Sequence, residues 1–330
     1  MKSQHTVDVV CCFNSGWELP ALVVAESVRR TASAHRKYRF FAISRNPGAP
    51  ILRSEALLRT GNFEFIPVRI SDAVWDSTPT GHGGTKDANI RLRLHDILPD
   101  VSRVVYLDTD VAVNRDLAEL IDLSGDEELM TAVQDLGVLM MMDDARRRGA
   151  QHPVIDEFAK GDLDPKAYFN SGVMAFDLSR PETQSRMREA LRLASMPDPG
   201  LFFDQHALNI AFADTTKFVD NRWNWAGVSL VGNVKCSENT TAAVDACRRD
   251  PWIVHYAGQS KPWATWHRPT ECDKYWWIAA RSSPFYFWIL KDFRNELRWN
   301  RRIMDKRPRG IRNAIRSASS AVKSLLTTGL

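Results

Sequence analysis

The chain contains no run of eighteen apolar residues, so its sequence offers no membrane-spanning helix. The opening is not expected to act as a secretory leader, since Met1-Lys2-Ser3-Gln4-His5-Thr6 runs directly into the strand-like Val7-Asp8-Val9-Val10-Cys11-Cys12. The expectation is therefore a chain that stays in the cytosol. Cysteine is scarce, with five residues and no Cys-x-x-Cys spacing. That argues against a disulfide framework or a cysteine zinc site, and for buried or incidental thiols. No internal repeat is present. Strong net charge is missing too, at +4 over 330 residues, but the charge is unevenly spread. From Lys291 to Lys323 there are eleven Lys and Arg against Asp292, Glu296 and Asp305, a net +8 that leaves −4 for the rest. The length suits one large domain, or one domain with an appendage.

Strand-like and helical runs alternate. Val7–Cys12 is followed by an amphipathic stretch from Leu19 to Ser33, then Tyr38–Ile43, a helical Ile51–Thr60 and Phe63–Val68. This β-α-β-α-β order predicts a parallel sheet with helices on both faces. Residues 71–86 read as a glycine-rich loop, either a lid or a surface excursion. Asp87 reads as the N-cap of a helix whose apolar positions are Ile90, Leu94, Ile97 and Leu98, with Arg91 and Arg93 off that stripe.

The chain is organised around Arg103-Val104-Val105-Tyr106-Leu107-Asp108-Thr109-Asp110-Val111. An unbroken apolar run is the pattern of a strand covered on both faces. If extended geometry continues to residue 110, Asp108 and Asp110 point the same way. They then present two hard oxygen donors at the carboxyl end of the strand, where such sheets bind ligands. The pattern alone is weak, since Asp-x-Asp arises by chance about once in a chain this long. A second copy, Asp162-Leu163-Asp164, precedes Pro165, follows no strand and reads as a solvated loop.

Further along, Met130–Asp135 is a strand ending in a carboxylate. Tyr168–Phe176 places a polar turn before a strand, and Thr183–Ala194 is an exposed helix. Asp204 caps a helix or, with Gln205, faces an acceptor or sugar pocket; Asp135 is a turn residue or a sugar hydroxyl acceptor. Trp252–His255 is a last strand. His255, Gly258 and Lys261 then follow at regular spacing, bringing an imidazole, a residue permitting close backbone approach, and a cation suited to phosphate. An imidazole joining two carboxylates would favour Mn over Mg.

The set Val104–Val111, Tyr168-Phe169-Asn170-Ser171-Gly172-Val173, Asp204-Gln205-x-x-Leu208-Asn209, Trp223-Asn224 and His255-Tyr256-x-Gly258-x-x-Lys261-Pro262-Trp263 resembles family 8 of the retaining glycosyltransferases. Within that family it is most similar to bacterial lipopolysaccharide and lipooligosaccharide α-galactosyl- and α-glucosyltransferases. The match runs from about residue 8 to 290 and includes Tyr275-Trp276-Trp277 and Ser283-Pro284-Phe285.

The resemblance implies an α/β GT-A fold over 1–270, Rossmann-like with a mostly parallel mixed sheet. A C-terminal aromatic and basic helical extension would occupy 271–330. It implies a UDP-hexose donor, Mn2+ (or Mg2+) and a glycan or glycolipid acceptor. Asp108, Asp110 and His255 would ligate the metal. Thr109 lies between those acids in the nucleotide site, and Gly258 and Lys261 would contact the diphosphate. Arg91, Asp135, Asn170, Asp204 and Gln205 would hold the donor sugar or lie near the anomeric carbon. Relatives often carry Asp and Asn, followed by Tyr, to read uracil and ribose. Here the stretch is Asn14-Ser15-Gly16-Trp17, in which Asn14 can hydrogen-bond a base, Trp17 can stack on it, and Gly16 offers no side chain.

For the chemistry, a front-face route fits the weak nucleophilicity of Gln205, while Asp204 leaves a covalent glycosyl-enzyme open. Two other classes stand beside transfer. One is a phosphohydrolase using Asp108 as nucleophile and Asp110 as acid, against which Ala112 occupies the expected Thr or Val position. The other is a non-catalytic binding module. The basic tail suits an anionic membrane surface, with Phe293, Trp299 and Ile303 as apolar contacts, or else a solvated tail. Charge confined to one terminal segment argues against nucleic acid.

Overall fold

The computed structural model describes residues 6–304 apart from 81–85, 126, 150–154, 157, 159–162, 197–201, 232–233 and 266; side chains are described only as far as residue 295. A seven-stranded sheet has the order β3-β2-β1-β4-β7-β6-β8. Its strands are β1 (Val7–Cys12), β2 (Tyr38–Ser44), β3 (Phe63–Arg69), β4 (Arg103–Leu107), β6 (Met130–Gln134), β7 (Phe169–Asp177) and β8 (Thr216–Val219). The first four are parallel, β7 runs antiparallel to both β4 and β6, and β6 is parallel to β8.

The apolar runs explain why β1 and β4 lie at the centre. Side chains alternate between faces. Val9, Cys11, Val105 and Leu107 enter one apolar cluster, and Val10, Val104 and Tyr106 enter the other. Asp8, the one acid in β1, is neutralised by Arg39, whose Nε and Nη2 donate to its two oxygens at 2.6 and 2.7 Å. The helix Asp273–Ser282 and the start of Tyr286–Met304 pack into the first cluster through Trp276, Trp277 and Ile289, with Phe285 from the connection between them.

Phe293 is buried with its ring 5.8 Å from that of Trp277, so it is core and not a lipid contact. The side chains of Trp299 and Ile303, and the tail from residue 305, lie outside the described residues. Among the described residues no helix is long and apolar enough to cross a membrane.

Several local expectations change. Residues 71–86 are not all loop, because Ser71 caps a helix, Asp72–Ser77; Gly81, His82, Gly83, Gly84 and Thr85 lie outside the described residues. The stretch after them is broken into helix Lys86–Asn89, a 3-10 turn Ile90–Arg93 and helix Leu94–Ile97, with Asp87 inside the first turn and not at a cap. Asp164 caps the short turn Pro165–Ala167, while Asp162 lies outside the described residues.

Extended geometry ends at Leu107, and Thr109-Asp110 form a turn. The chain turns there because Val111–Val113 (β5) leaves the main sheet to pair antiparallel with Ile253–His255 (β9), with Val111 opposite His255. That long-range register, and not alternation along one strand, sets His255 beside the two acids.

Candidate active site

Four backbone devices place the functional side chains. At the end of β4, the Asp108 N–H donates to the Gly172 carbonyl at 2.9 Å. At the start of β7, pairing with β6 jumps from Ala132–Met174 to Val133–Asn170, so Ser171, Gly172 and Val173 have no partner on β6. A bulge of this kind re-aims side chains. Asn170 and Ser171 are thus strand residues, not members of a turn before the strand. Third, Asp135 caps helix Leu136–Arg148, its Oδ1 accepting from the Val138 N–H at 3.0 Å. Finally, helix Phe203–Ala211 begins without a side-chain cap. Phe203 takes φ +49°, a left-handed conformation that non-glycine residues seldom adopt, directly before Asp204.

Asp204 therefore does not cap its helix. It lies in the first turn, 3.0 Å from Arg91 Nε. That contact is an ion pair without hydrogen-bond alignment, since Asp204 Oδ2 is buried and accepts no bond. Arg91 Nη1 reaches Asp108 Oδ1 at 3.1 Å and the Ser171 carbonyl at 3.0 Å, and its guanidinium lies 4.9 Å from the Tyr106 ring centre. Tyr106 also donates its hydroxyl to Asp108 Oδ1 at 2.7 Å. Burial pushes the Asp204 carboxyl up, with Arg91 opposing. Burial also disfavours charge on Arg91, but Asp108 and Asp204 reverse this and raise its proton affinity.

The second group is Asp108, Asp110 and His255, whose ligand-type atoms all lie within 4.8 Å of one another. His255 Nε2 is 3.2 Å from Asp110 Oδ1 and 3.8 Å from Asp108 Oδ2. Lys261 Nζ donates to Asp110 Oδ2 and, at 2.7 Å, to the Tyr256 carbonyl. Burial alone would raise the Asp110 carboxyl, but the His255 and Lys261 charges hold it well below the usual carboxylate range. Burial also lowers His255, yet Asp110 and Asp108 more than offset it, and the net direction is upward.

Two carboxylate oxygens and one imidazole nitrogen, mostly buried and converging, could hold a divalent cation. Gly172 supplies the cradle. A Cβ there would sit 2.2 Å from His255 Cε1 and 3.0 Å from Asp108 Oδ2. Gly172→Ala is therefore expected to displace both side chains and weaken Mn2+ binding by at least about tenfold, the scale on which disturbed ligand support acts. Calorimetric titration, with circular dichroism to confirm the fold, checks this. Unchanged affinity would show that the ring and the carboxylate relax at no cost.

Asn14, Trp17, Arg91, Asp108, Thr109, Asp110, Gly258 and Lys261 all line one cavity of about 720 Å3. Gly258 has φ +85°, a backbone state that other residues rarely adopt. Lys261 Nζ lies 5.5 Å from the Trp17 ring centre. Asn14 Oδ1 accepts from the Gly16 N–H at 3.0 Å and so stabilises the turn Ser15–Trp17. Asp135, Asn170 and Gln205 form a buried cluster beside Arg91. Gln205 Oε1 accepts from the Ser171 N–H at 3.1 Å, and its Nε2 donates to Asp135 Oδ2 at 3.1 Å. Tyr106, Ser171 and Asn224 had no role in the sequence reading. Each sits inside a motif, but contacts that give it a place in the site come from other elements: Arg91 for Tyr106 and Ser171, and Asn170 and His255 for Asn224.

The family model described as "Glycosyl transferase family 8" matches residues 8–267. The chain belongs to glycosyltransferase family 8. It is 28% identical over 186 residues to General stress protein A of Bacillus subtilis, a match covering 54% of this chain and 59% of that protein. It is 27% identical over 237 residues to lipopolysaccharide 1,3-galactosyltransferase of Salmonella typhimurium, covering 71% of this chain and 65% of that one. The chain thus spans about three fifths of the length of these relatives. Among solved structures, the apo bifunctional glycosyltransferase WbbM superposes with a TM-score of 0.75 at 21% identity, over 88% of this chain and 52% of that one. Galactosyltransferase LgtC, solved with donor and acceptor sugar analogues, gives 0.60 at 20% identity over 84% and 96%. The family 8 fold is GT-A, and the mixed sheet with flanking helices agrees with these neighbours.

Proposed function

We propose that the protein is a metal-dependent retaining hexosyltransferase. It would move galactose or glucose from a UDP-sugar to a hydroxyl of a glycan or glycolipid, in lipopolysaccharide, lipooligosaccharide or another cell-surface glycan. The observation that carries this reading is the convergence of His255 on Asp108 and Asp110, two acids that line a cavity together with Lys261 and Arg91. Family membership and the relatives named for lipopolysaccharide sugar transfer support it. In this reading, residues 1–270 are the catalytic domain and 271–330 an extension. The protein works in the cytoplasm, with the basic tail resting on the inner face of the membrane.

A divalent cation held by Asp108, Asp110 and His255 would act as a Lewis acid on the departing diphosphate. The protein's own groups do the rest. Lys261, freed from Asp110, supplies a fixed positive charge to the same oxygens, and Gly258 lets backbone approach them. Arg91 holds Asp108 and Asp204 in place at the sugar end of the cavity. Asn170, Asp135 and Gln205 present a rigid polar wall to the donor sugar.

Gln205 is held by hydrogen bonds at both ends and Asp204 is paired to Arg91, so neither is poised as a nucleophile. That favours attack by the acceptor on the leaving-group face, its proton passing to a phosphate oxygen of the leaving group. Purified protein with Mn2+ and a panel of nucleotide sugars tests the proposal. A UDP-hexose is expected to raise the melting temperature and to be hydrolysed slowly without acceptor. Absence of both effects with every UDP-sugar would sink it.

A further inference from the structure

We propose that Asn224 is a positioning residue that fixes the ring of His255 through a one-way chain of hydrogen bonds anchored at Asp135. The proposal rests on the cation-site reading above. All four groups are nearly inaccessible: Asp135 5%, Asn170 7%, Asn224 1% and His255 4% exposed.

The direction of every bond follows from two backbone amides that can only donate. The Gly172 N–H donates to Asn170 Oδ1 at 3.0 Å, so that atom is the carbonyl oxygen and the other end of Asn170 is the amino group. The amino group donates to Asp135 Oδ2 at 3.1 Å, while the Val138 N–H occupies Asp135 Oδ1. Asn224 Nδ2 donates to the same Asn170 oxygen at 3.0 Å. Asn224 must then present its carbonyl oxygen to His255 Nδ1, 3.0 Å away. An oxygen there accepts, so Nδ1 carries a hydrogen. In the neutral ring the lone pair is therefore on Nε2, the nitrogen facing Asp110 and Asp108. The other tautomer would set two lone pairs against each other in a buried site, and an unmade buried bond costs about 1–3 kcal/mol.

Reversing Asn170 would point its amino group at the Gly172 N–H, and reversing Asn224 would set its carbonyl oxygen against Asn170 Oδ1. The network thus has one consistent orientation. Asp135 also accepts from Gln205, so one carboxylate ties Gln205 to the chain that ends on the imidazole. Hydrogen-bond partners of this kind orient metal-ligating histidines, and their loss typically weakens metal binding by about 10–100-fold.

The test uses the full chain and two readouts. In protein labelled with 15N-histidine, at a pH where the ring is neutral, the signal lost in His255→Gln identifies residue 255. It is expected to report the Nδ1-protonated tautomer, and the Nε2-protonated form would overturn the proposal. Mn2+ affinity by titration is expected to fall about 10–100-fold in Asn224→Leu, and to fall less in Asn224→Asp, which keeps an acceptor for Nδ1–H but sets an oxygen in place of the donor to Asn170 Oδ1. Asn224→Leu binding Mn2+ like the parent, or more tightly than Asn224→Asp, would overturn it. If Asn224→Leu does not fold, the parent tautomer decides. A parent that binds no Mn2+ would defeat the cation reading and leave the tautomer to judge the chain of bonds.

Discussion

Asp110→Asn is expected to abolish Mn2+-dependent donor binding and to lower turnover by roughly 10²–10³-fold, the scale set by loss of one preorganised charge-stabilising group. The reason is the position of this carboxylate. One oxygen faces His255 and the other is held by Lys261, so a single side chain serves both the candidate cation site and the lysine proposed for the diphosphate. The amide keeps the shape but removes the charge. Without metal, the same change leaves the largely buried Lys261 ammonium without its carboxylate partner. Breaking a buried pair in this way costs about 3–5 kcal/mol.

The pH dependence has a definite sign. The Asp110 carboxyl is depressed in the folded state, so its stabilisation is complete above the unfolded value of about 3.9. It is lost as the pH falls from there toward the folded value. The gap in stability between parent and Asp110→Asn should therefore be widest between the unfolded values of the carboxyl and the imidazole, about 3.9 and 6.5, narrowing in acid and again as the raised His255 loses its proton. Urea titrations of the metal-free proteins from acid to mildly alkaline pH measure it. Equal Mn2+ affinity in the two proteins would place the cation elsewhere.

The sheet was legible because its signal is local. Val7–Cys12, Tyr38–Ile43 and Arg103–Leu107 are apolar runs, and each is a strand in the structure. The first acid pair was legible as chemistry but not as geometry. Asp108 and Asp110 do meet His255, yet they do so across a turn, because pairing of Val111 with a residue 144 positions later competes with continuation of β4. Asp204 and Asp87 show the same limit at helix starts. Both have the composition of a cap, and neither caps, since Arg91 claims Asp204 and the helix at Lys86 begins before Asp87. Asn224 could be quoted as part of a motif. Its bonds to Asn170 and His255, 54 and 31 positions away, exist only once β7 and β9 are in place. Phe293 failed for a similar reason: an aromatic in a basic helix suits lipid or core equally, and Trp277 decides for core.

Arg91→Met is expected to be the most destabilising single change at this site. Arg91 is 11% exposed and stands between two carboxylates, Asp108 at 3.1 Å and Asp204 at 3.0 Å, while also bonding the Ser171 carbonyl and oxygen. Removing it brings two buried negative charges together with no cation between them, and loss of one such partner costs about 3–5 kcal/mol. Methionine fills similar volume, so the loss would be electrostatic and not a cavity effect. Arg91→Lys tests the geometry. A lysine carries the charge but is a single point donor, whereas Arg91 spans Asp108, Asp204 and Ser171 with a planar fork. It should recover only part of the stability. Neutralising one partner as well, in Arg91→Met with Asp204→Asn, should recover more, because the surviving Asp108 keeps the Tyr106 hydroxyl and no longer faces a second charge. Chemical denaturation of the parent, Arg91→Met, Asp204→Asn and the double variant gives the coupling directly. If Arg91→Met alone unfolds at the parental denaturant concentration, the guanidinium is not what holds the two acids together, and the surroundings of Asp108 and Asp204 are organised by the β7 bulge alone.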